Sequence, residues 1–261
     1  MWVLLYLVAI IAILLVGQTI ILRAFGEPLK WTYGATSEQP KSLKLALKAL
    51  LQTTLIGSIF LFPYLVGRTP GSFYGPLFRA DQFYLFLYGE GIALLLLFLI
   101  YGIELAGGWL KWEPRWSTQK KLSKSGFSAL SSLTVVAVEE PFFRGIILQT
   151  LLLSQVPALV AIPVSAVVFS LAHFIRKVRT YWPAVGLAVL GLWLGVAYYK
   201  TGTLWLPMGL HSGGILSIGV HRCFTRYAGP EWLIGTQTFP IAGTIAIVIM
   251  LIGTAVTYWI F

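Results

Sequence analysis

Long, almost continuously apolar stretches alternate with short polar segments along the whole chain. Each stretch has roughly the 17–25 residues that an α-helix needs to cross a bilayer, and their Leu, Ile and Val content favours helix at this length. The predicted spans are about 2–22, 44–66, 82–106, 128–153, 157–174, 182–199, 203–220 and 240–260. The pattern therefore predicts an all-α fold, a polytopic membrane bundle of about eight transmembrane helices forming one integral-membrane domain over 1–261.

Two segments need separate comment. Residues 2–22 have no basic segment before them and no small-residue cleavage site after them, so we expect a retained first span and not a signal peptide. Residues 221–235 are too polar to span a bilayer, and we expect a loop with short structure there.

Composition supports this interpretation and adds an orientation. The chain is 57% hydrophobic and 11% charged, with a mean hydropathy of +0.82, whereas soluble domains are about 25% charged. The net charge of +10 lies in short loops, with fifteen Lys and Arg in the odd-numbered loops and three in the even-numbered ones. This bias predicts cytoplasmic odd loops, both termini outside and contacts with membrane lipids, and it argues against a nucleic-acid partner. The single cysteine, Cys223, excludes an internal disulfide and an all-thiolate metal site.

Charged groups inside the apolar stretches are the first candidates for function. Glu139, Glu140 and Arg144 lie within the fourth span, where a charge costs several kcal/mol and is usually functional. In a helix Glu140 and Arg144 share a face, whereas Glu139 points about 100° away. Pro141 removes a backbone hydrogen bond beside them and should bend the helix. A structural ion pair accounts for Glu140 and Arg144 but leaves Glu139 unexplained.

The third span carries two further carboxylates. Glu90 lies deep and is expected to face the interior of the bundle, and Glu104 lies near the span end and is expected to reach water.

The three histidines differ in their settings. His173 ends the fifth span, with Phe169 one turn earlier on the same face, and His211 lies inside the seventh. His221, beside Arg222 at a span end, is expected to be an ordinary interface histidine. A single histidine in a membrane span is usually a hydrogen-bonding partner between helices.

Glu139, His173 and His211 come from three different spans, and they can meet only in the interior of the bundle. There they could surround a water as a general-base site, with or without a metal. Haem ligation by His173 and His211 is a weaker alternative, since it leaves both glutamates and Arg144 unused. A proton-coupled transporter could use all of these groups as a relay, and it stays open on these grounds.

Three motifs in this order carry a family resemblance. Glu-Glu-x-x-x-Arg (139–144), Phe-x-x-x-His (169–173) and the later intramembrane His211 resemble the CPBP family, the CAAX-protease and bacteriocin-processing (Abi) enzymes, which are glutamate-dependent intramembrane proteases. The part of the chain that carries this resemblance covers about residues 126–220. The resemblance implies a helical bundle that encloses an intramembrane polar cavity open to water.

The resemblance also implies roles for the residues. Glu139, helped by His173, would activate the attacking water, while Glu140 would pair with Arg144 and fix the fourth helix. His211, with the residue four positions later, would stabilise the oxyanion. That later residue is commonly Asn or Asp in the family but is Ile215 here, which offers no side-chain hydrogen bond. We consider Ser212, or a backbone N–H near Gly213 and Gly214, as a replacement donor.

The metal question stays open on the sequence. If a divalent metal such as zinc is present, its ligands would be Glu139, His173 and His211 with an open position for water. The chain lacks the His-Glu-x-x-His motif of the familiar zinc proteases, which favours activation of water by glutamate without a metal.

Taken together, the sequence predicts a multi-pass intramembrane endopeptidase acting on a peptide or protein substrate, possibly lipid-modified, near the cytoplasmic side. The compact size favours the plasma membrane of a prokaryote. Slow or altered chemistry is expected from Ile215. The alternatives are a proton-coupled transporter and a non-catalytic membrane scaffold or immunity protein on the same fold.

Overall fold

The computed structural model describes residues 2–28, 40–114, 116–174 and 182–261. Within these residues the structure is all-α except for one short ribbon. The helices are α1 (Trp2–Ala24), α2 (Lys41–Leu65), α3 (Pro70–Tyr74), α4 (Tyr84–Ala106), α5 (Thr118–Glu140), α6 (Gln149–Leu153), α7 (Ala158–Phe174), α8 (Trp182–Thr201), α9 (Trp205–His221), α10 (Glu231–Ile234) and α11 (Thr244–Ile260). A π-helical segment, Pro141–Leu148, joins α5 to α6, and 3₁₀ turns lie at Gly75–Leu77, Ala80–Gln82 and Pro240–Ala242.

The two strands β1 (Leu110–Trp112) and β2 (Thr225–Tyr227) pair antiparallel, with Lys111 opposite Arg226. They follow directly on α4 and α9, so the ribbon closes the same end of both helices. It is the short structure expected within 221–235.

Four of the described helical segments are long and apolar enough to be candidate membrane spans: Leu5–Ala24, Lys41–Leu65, Tyr84–Ala106 and Pro183–Thr201. α7 and α11 are apolar but shorter. The all-α membrane architecture is therefore supported, and the predicted count of eight spans is not confirmed by these criteria. The helix that contains the start of the predicted fourth span begins before it: α5 starts at Thr118, where Ser117 caps it by accepting a hydrogen bond from the backbone N–H of Lys120.

Close helix crossings place the functional segments. α4 and α9 run side by side with backbone nearly touching backbone: a Cβ built on Gly89 would lie 2.6 Å from the Leu206 carbonyl oxygen, and one on Gly213 2.7 Å from the Glu90 carbonyl oxygen. Small residues permit such contacts between membrane helices. α5 crosses the other side of α9, where the Ser128 hydroxyl donates to the Ile215 carbonyl over 3.3 Å. The residue numbers of contacting positions increase in the same direction along α4 and α9, so these two helices are parallel. α5 runs antiparallel to α9.

Two expectations at this end of the bundle are wrong. Glu104 does not reach water: its side chain is fully buried, and both carboxylate oxygens lack a hydrogen-bond partner among the described residues. The chain turns back at Gly107 and Gly108, and Leu110 packs into the same apolar cluster as Tyr101. His221 is likewise buried, stacked on the Tyr101 ring with 3.4 Å between ring centroids.

Candidate active site

The two adjacent glutamates lie where the α-helical backbone gives way to the π-helical segment. Pro141 has no N–H to donate, so the α-helical ladder is interrupted immediately after Glu140. The backbone widens into a π-helix over Pro141–Leu148, and all eight of these residues are buried. π-helical turns inside α-helices occur frequently at functional sites. The hydrogen-bond pattern of the helix therefore changes beside the carboxylates, and the bend expected at Pro141 stays a prediction.

Glu140 is the buried centre of a polar network. Its Oε1 accepts hydrogen bonds from Arg144 Nη1 over 3.0 Å and from His211 Nδ1 over 2.8 Å. Arg144 Nη2 donates to the Gly191 carbonyl oxygen over 3.1 Å. The side chains of Glu140 and Arg144 are both 0% exposed. The network therefore joins α5, the π-helical segment, α8 and α9 at one point, and the predicted Glu140–Arg144 pair is part of it.

Glu139 has a different environment from its neighbour. Its side chain is 19% exposed and lines a cavity, and its Oε2 has no hydrogen-bond partner among the described residues. His173 Nε2 lies 3.6 Å and His211 Nε2 3.9 Å from that oxygen. The structure thus brings together the three groups that the sequence placed on separate spans.

The second nitrogen of each imidazole fixes its orientation. His173 Nδ1 lies 2.8 Å from the Phe169 carbonyl oxygen, an acceptor, so this nitrogen carries a proton. His211 Nδ1 faces the Glu140 carboxylate and donates to it for the same reason. Both Nε2 atoms therefore remain available to face Glu139 and whatever occupies the space between them.

Phe169 packs against Arg144 and against both histidines. Its ring centroid lies 4.7 Å from the Arg144 guanidinium carbon, 4.5 Å from the His173 ring and 5.7 Å from the His211 ring. The ring is fully buried. A cation held against an aromatic face is stabilised there, and the same ring limits the motion of both histidines.

A cavity of about 480 Å³ opens from Glu139. Glu139, His173 and His211 lie at one part of its wall, and most of the remaining wall is apolar, from α4, α5, α8, α9 and α11. Ile215 lines it as well, so the position where the family commonly has Asn or Asp faces the cavity without a hydrogen-bonding side chain. Lys124 and Arg222 also line it.

The proposed replacement donors do not fit this arrangement. Ser212 is fully buried and points to the Ser132 hydroxyl, 3.2 Å away, and to Glu90 Oε1, 3.5 Å away. Gly213 and Gly214 lie within the continuous helix α9, where the backbone N–H groups follow helical geometry. Glu90 does turn towards the interior, as expected, but towards Ser212 and not towards the cavity.

The metal hypothesis was tested on the donor groups. Among the residues that the structure describes, no group of three His, Cys, Asp or Glu side chains is arranged to hold a metal ion. Glu139, His173 and His211 therefore do not fit a preformed three-ligand site in this geometry, and no chemical step below is assigned to a metal.

Gly191 was not found by sequence reasoning. Its carbonyl anchors Arg144, and a Cβ on it would lie 2.9 Å from the Ala166 Cα atom. One glycine in an apolar helix carries no signal that its carbonyl accepts a hydrogen bond from another element.

Comparison with known proteins identifies a related family. Residues 122–214 match the family described as Rce1-like, type II CAAX prenyl endopeptidase Rce1-like. No curated protein and no solved structure matches the chain. The matched residues include Glu139, Glu140, Arg144, His173 and His211, and the family resemblance carried by the sequence motifs is confirmed.

Proposed function

We propose that this chain, which matches the Rce1-like type II CAAX prenyl endopeptidase family over residues 122–214, is an intramembrane endopeptidase in which Glu139 activates the attacking water. At the coarser level the family is one of endopeptidases, and the apolar helices suit an integral membrane protein. The observation that carries the proposal is the convergence of His173 Nε2 and His211 Nε2 on the unpartnered Oε2 of Glu139.

The first chemical step uses Glu139 as a general base. A water held between Glu139 and His173 attacks the scissile carbonyl carbon, forming the C–O bond while its proton passes to Glu139 Oε2. His173 is fixed by its hydrogen bond to the Phe169 carbonyl and orients this water through Nε2. The apolar cavity wall limits competing water around the carboxylate.

His211 stabilises the oxyanion of the tetrahedral intermediate. This role requires an imidazole that has taken up a proton from solvent before the attack, so that Nδ1–H donates to the Glu140 carboxylate while Nε2 also carries a hydrogen. The Nε2–H then donates to the oxyanion. Collapse breaks the C–N bond, and Glu139 returns its proton to the leaving amine.

Arg144 and Glu140 have positioning roles in this scheme. Arg144 holds Oε1 of Glu140 in the place where it also receives His211, so the pair sets the position of the imidazole. Ile215 leaves the oxyanion with one side-chain donor fewer than the family commonly has. Loss of one such donor costs about 100- to 1000-fold in kcat, and slow turnover is expected.

The function is tested with purified protein in detergent. Wild type and Glu139→Gln are incubated with a library of quenched peptides, prenylated and plain, with and without chelator, after both proteins elute as single species with matching thermal unfolding. Cleavage by wild type alone, unaffected by chelator, is the expected result. Equal cleavage by both proteins contradicts the role of Glu139. No cleavage by folded wild type makes a proton-coupled transporter or a scaffold protein the better account.

A further inference from the structure

Three lysines in the first turns of α5 lie against aromatic rings. The Nζ atoms of Lys120 and Lys124 lie 5.6 Å and 4.3 Å from the centroid of the same Trp116 ring. The Nζ atom of Lys121 lies 5.1 Å from the centroid of the Phe224 ring. Cation–π contacts hold these long side chains against the rings. The three ammonium groups therefore form one cationic surface, called the lysine surface below.

The lysine surface has no counter-ion among the residues that the structure describes. None of its three ammonium groups forms an ion pair with a described carboxylate, and Glu113, the acidic residue nearest in sequence, pairs with Arg226 over 2.6 Å. Lys120 and Lys124 are four residues apart on one helix, where like charges are destabilising. Two ammonium groups against one ring also repel each other, so a bound anion would lower the energy of this surface.

The position of the lysine surface along α5 matches the headgroup layer of a bilayer. Lys124 lies four residues before the predicted span that starts at about 128, which is about 6 Å of helix. The headgroup layer on each side of a bilayer is about 5–8 Å thick. Large apolar side chains are exposed at and beyond this level of α5, with Leu122, Phe127 and Leu130 69%, 70% and 64% exposed. Exposed apolar surface of this extent is typical of contact with a membrane.

Two tryptophans favour a lipid over a soluble polyanion as the partner. Trp112 is 65% exposed and stacks on Phe224 with 5.3 Å between ring centroids, and Trp116 is partly exposed. Tryptophan is enriched where the polar headgroups of a membrane meet its apolar core. A soluble polyanion would use the ammonium groups alone, whereas a phospholipid contacts the cationic, aromatic and apolar parts together.

We propose that the lysine surface, with Trp112 and Trp116 beside it, binds the headgroup phosphate of an anionic phospholipid, whose acyl chains lie along the exposed apolar side chains of α5. The surface lies in a region predicted to be cytoplasmic, and the cytoplasmic leaflet is the anionic one. A zwitterionic lipid is disfavoured, because its headgroup brings a cation of its own towards the three ammonium groups.

The bound headgroup would lie next to the cavity, since Trp116 and Lys124 also line it. Binding of the lipid is nevertheless separate from the proposed endopeptidase function, because no residue of the lysine surface takes part in the chemical steps.

The test measures the affinity of the purified protein for single lipids by native mass spectrometry. Phosphatidylglycerol and phosphatidylcholine with the same acyl chains are titrated into wild type and two triple variants in neutral detergent. The first variant, Lys120→Gln/Lys121→Gln/Lys124→Gln, removes the three charges of the lysine surface. The control removes three charges from exposed basic residues that are predicted to lie on the same side of the membrane: Arg23→Gln/Lys41→Gln/Lys48→Gln.

A second measurement separates a lipid from a free anion. Thermal unfolding of wild type is recorded with phosphatidylglycerol and with inorganic phosphate at equal concentration. All variants are first shown to elute as single species and to unfold at the wild-type temperature without lipid.

We expect wild type and the control variant to bind phosphatidylglycerol at least about 10-fold more tightly than phosphatidylcholine. Each basic residue near an anionic lipid surface is worth roughly a five-fold gain in affinity. The variant of the lysine surface should therefore bind phosphatidylglycerol about 10- to 100-fold more weakly and phosphatidylcholine as wild type does. Phosphatidylglycerol should raise the unfolding temperature of wild type, because it binds the folded state, and inorganic phosphate should not.

Four results would overturn the proposed lipid surface. Equal affinity of wild type for the two lipids would show that no anionic lipid is selected, and an undiminished preference in the variant of the lysine surface would place the selection elsewhere. An equal loss in both triple variants would attribute the selection to net charge. An equal rise in unfolding temperature with inorganic phosphate would identify a free anion as the ligand. None of these results bears on Glu139, so the proposed function stands or fails by its own test.

Discussion

At the residue scale, two neighbouring carboxylates have opposite surroundings. Glu140 is fully buried, and one of its oxygens receives both Arg144 and His211. Glu139 lines the cavity with an unpartnered oxygen that faces two imidazole nitrogens. A buried carboxylate that already holds a guanidinium is a poor proton acceptor, whereas an unpartnered carboxylate at a cavity can take a proton from water. These surroundings support the proposal that Glu139 is the base and Glu140 the anchor.

The buried ion pair between Glu140 and Arg144 predicts a loss of folding stability when it is broken, independent of any effect on catalysis. Arg144→Met leaves Glu140 buried without its guanidinium, and removal of one partner of a buried ion pair typically costs about 3–5 kcal/mol. The double variant Arg144→Met/Glu140→Gln removes the stranded charge and should recover part of this loss. Equilibrium unfolding in mixed micelles measures both. If Arg144→Met unfolds at the wild-type midpoint, the Glu140–Arg144 ion pair does not stabilise the fold as predicted.

Some of these contacts can be predicted from the sequence, and others cannot. The Glu140–Arg144 pair follows from four-residue spacing on one helix. The bond from His211 Nδ1 to Glu140 could not be predicted, since it depends on how α9 packs against α5. The resemblance assigned His211 to the oxyanion alone. The position of Glu104 near a helix end predicts contact with water. The side chain is buried instead, because the chain folds back over it.

At the element scale, the crossing of α4 and α9 determines where His211 lies. Gly209 and Gly213 flank His211 on α9, and both contact α4 backbone: a Cβ on Gly209 would overlap the Phe86 carbonyl oxygen. Backbone cannot move aside as a side-chain tip can. The crossing therefore tolerates no side chain at this position without separating the helices.

Gly209→Ala should destabilise the protein by about 1–3 kcal/mol, the usual cost of overpacking, and slow cleavage by displacing His211. Gly91→Ala is the control, because a Cβ on Gly91, which lies on the partner helix α4, meets nothing within 4 Å. Thermal unfolding and peptide cleavage are measured on both. If the two variants behave alike, close backbone contact does not position His211.

Sequence periodicity located the helical stretches but not their joints. Each predicted span corresponds to a helical stretch, yet α5 starts ten residues before the predicted span at 128. The first turns of α5, which include Gln119–Lys124, are polar, so the apolar pattern does not predict that they are helical. The cap at Ser117 involves only the first turn. The apolar part of α5 alone predicts a span. The π-helical segment has no distinct periodicity of its own over eight residues, so Pro141 signalled the break but not its form.

At the scale of the whole molecule, the distribution of basic residues predicts the orientation. Odd-numbered loops carry most of the Lys and Arg, which predicts that these loops lie in the cytoplasm. Lys124 and Arg222, which line the cavity, are among these basic residues, so the cavity is predicted to open towards the cytoplasm.

Cysteine labelling in intact cells measures the orientation. Cys223 is buried, so background labelling is low, and Ser123 and Ala80 are both exposed. With a membrane-impermeant maleimide, Ala80→Cys should react in intact cells and Ser123→Cys only after permeabilisation. The reverse pattern would show that the orientation is inverted and that the cavity opens on the other side.

The measurement that tests the account most directly is the single-turnover rate on one peptide that wild type cleaves, compared between Glu139→Gln and Glu104→Gln. Both changes replace a glutamate of the bundle by its neutral isostere, but Glu104 is buried and does not line the cavity. The account predicts that Glu139→Gln is at least about 100-fold slower, the usual worth of a general base, and that Glu104→Gln cleaves at the wild-type rate. Wild-type cleavage by folded Glu139→Gln would contradict it.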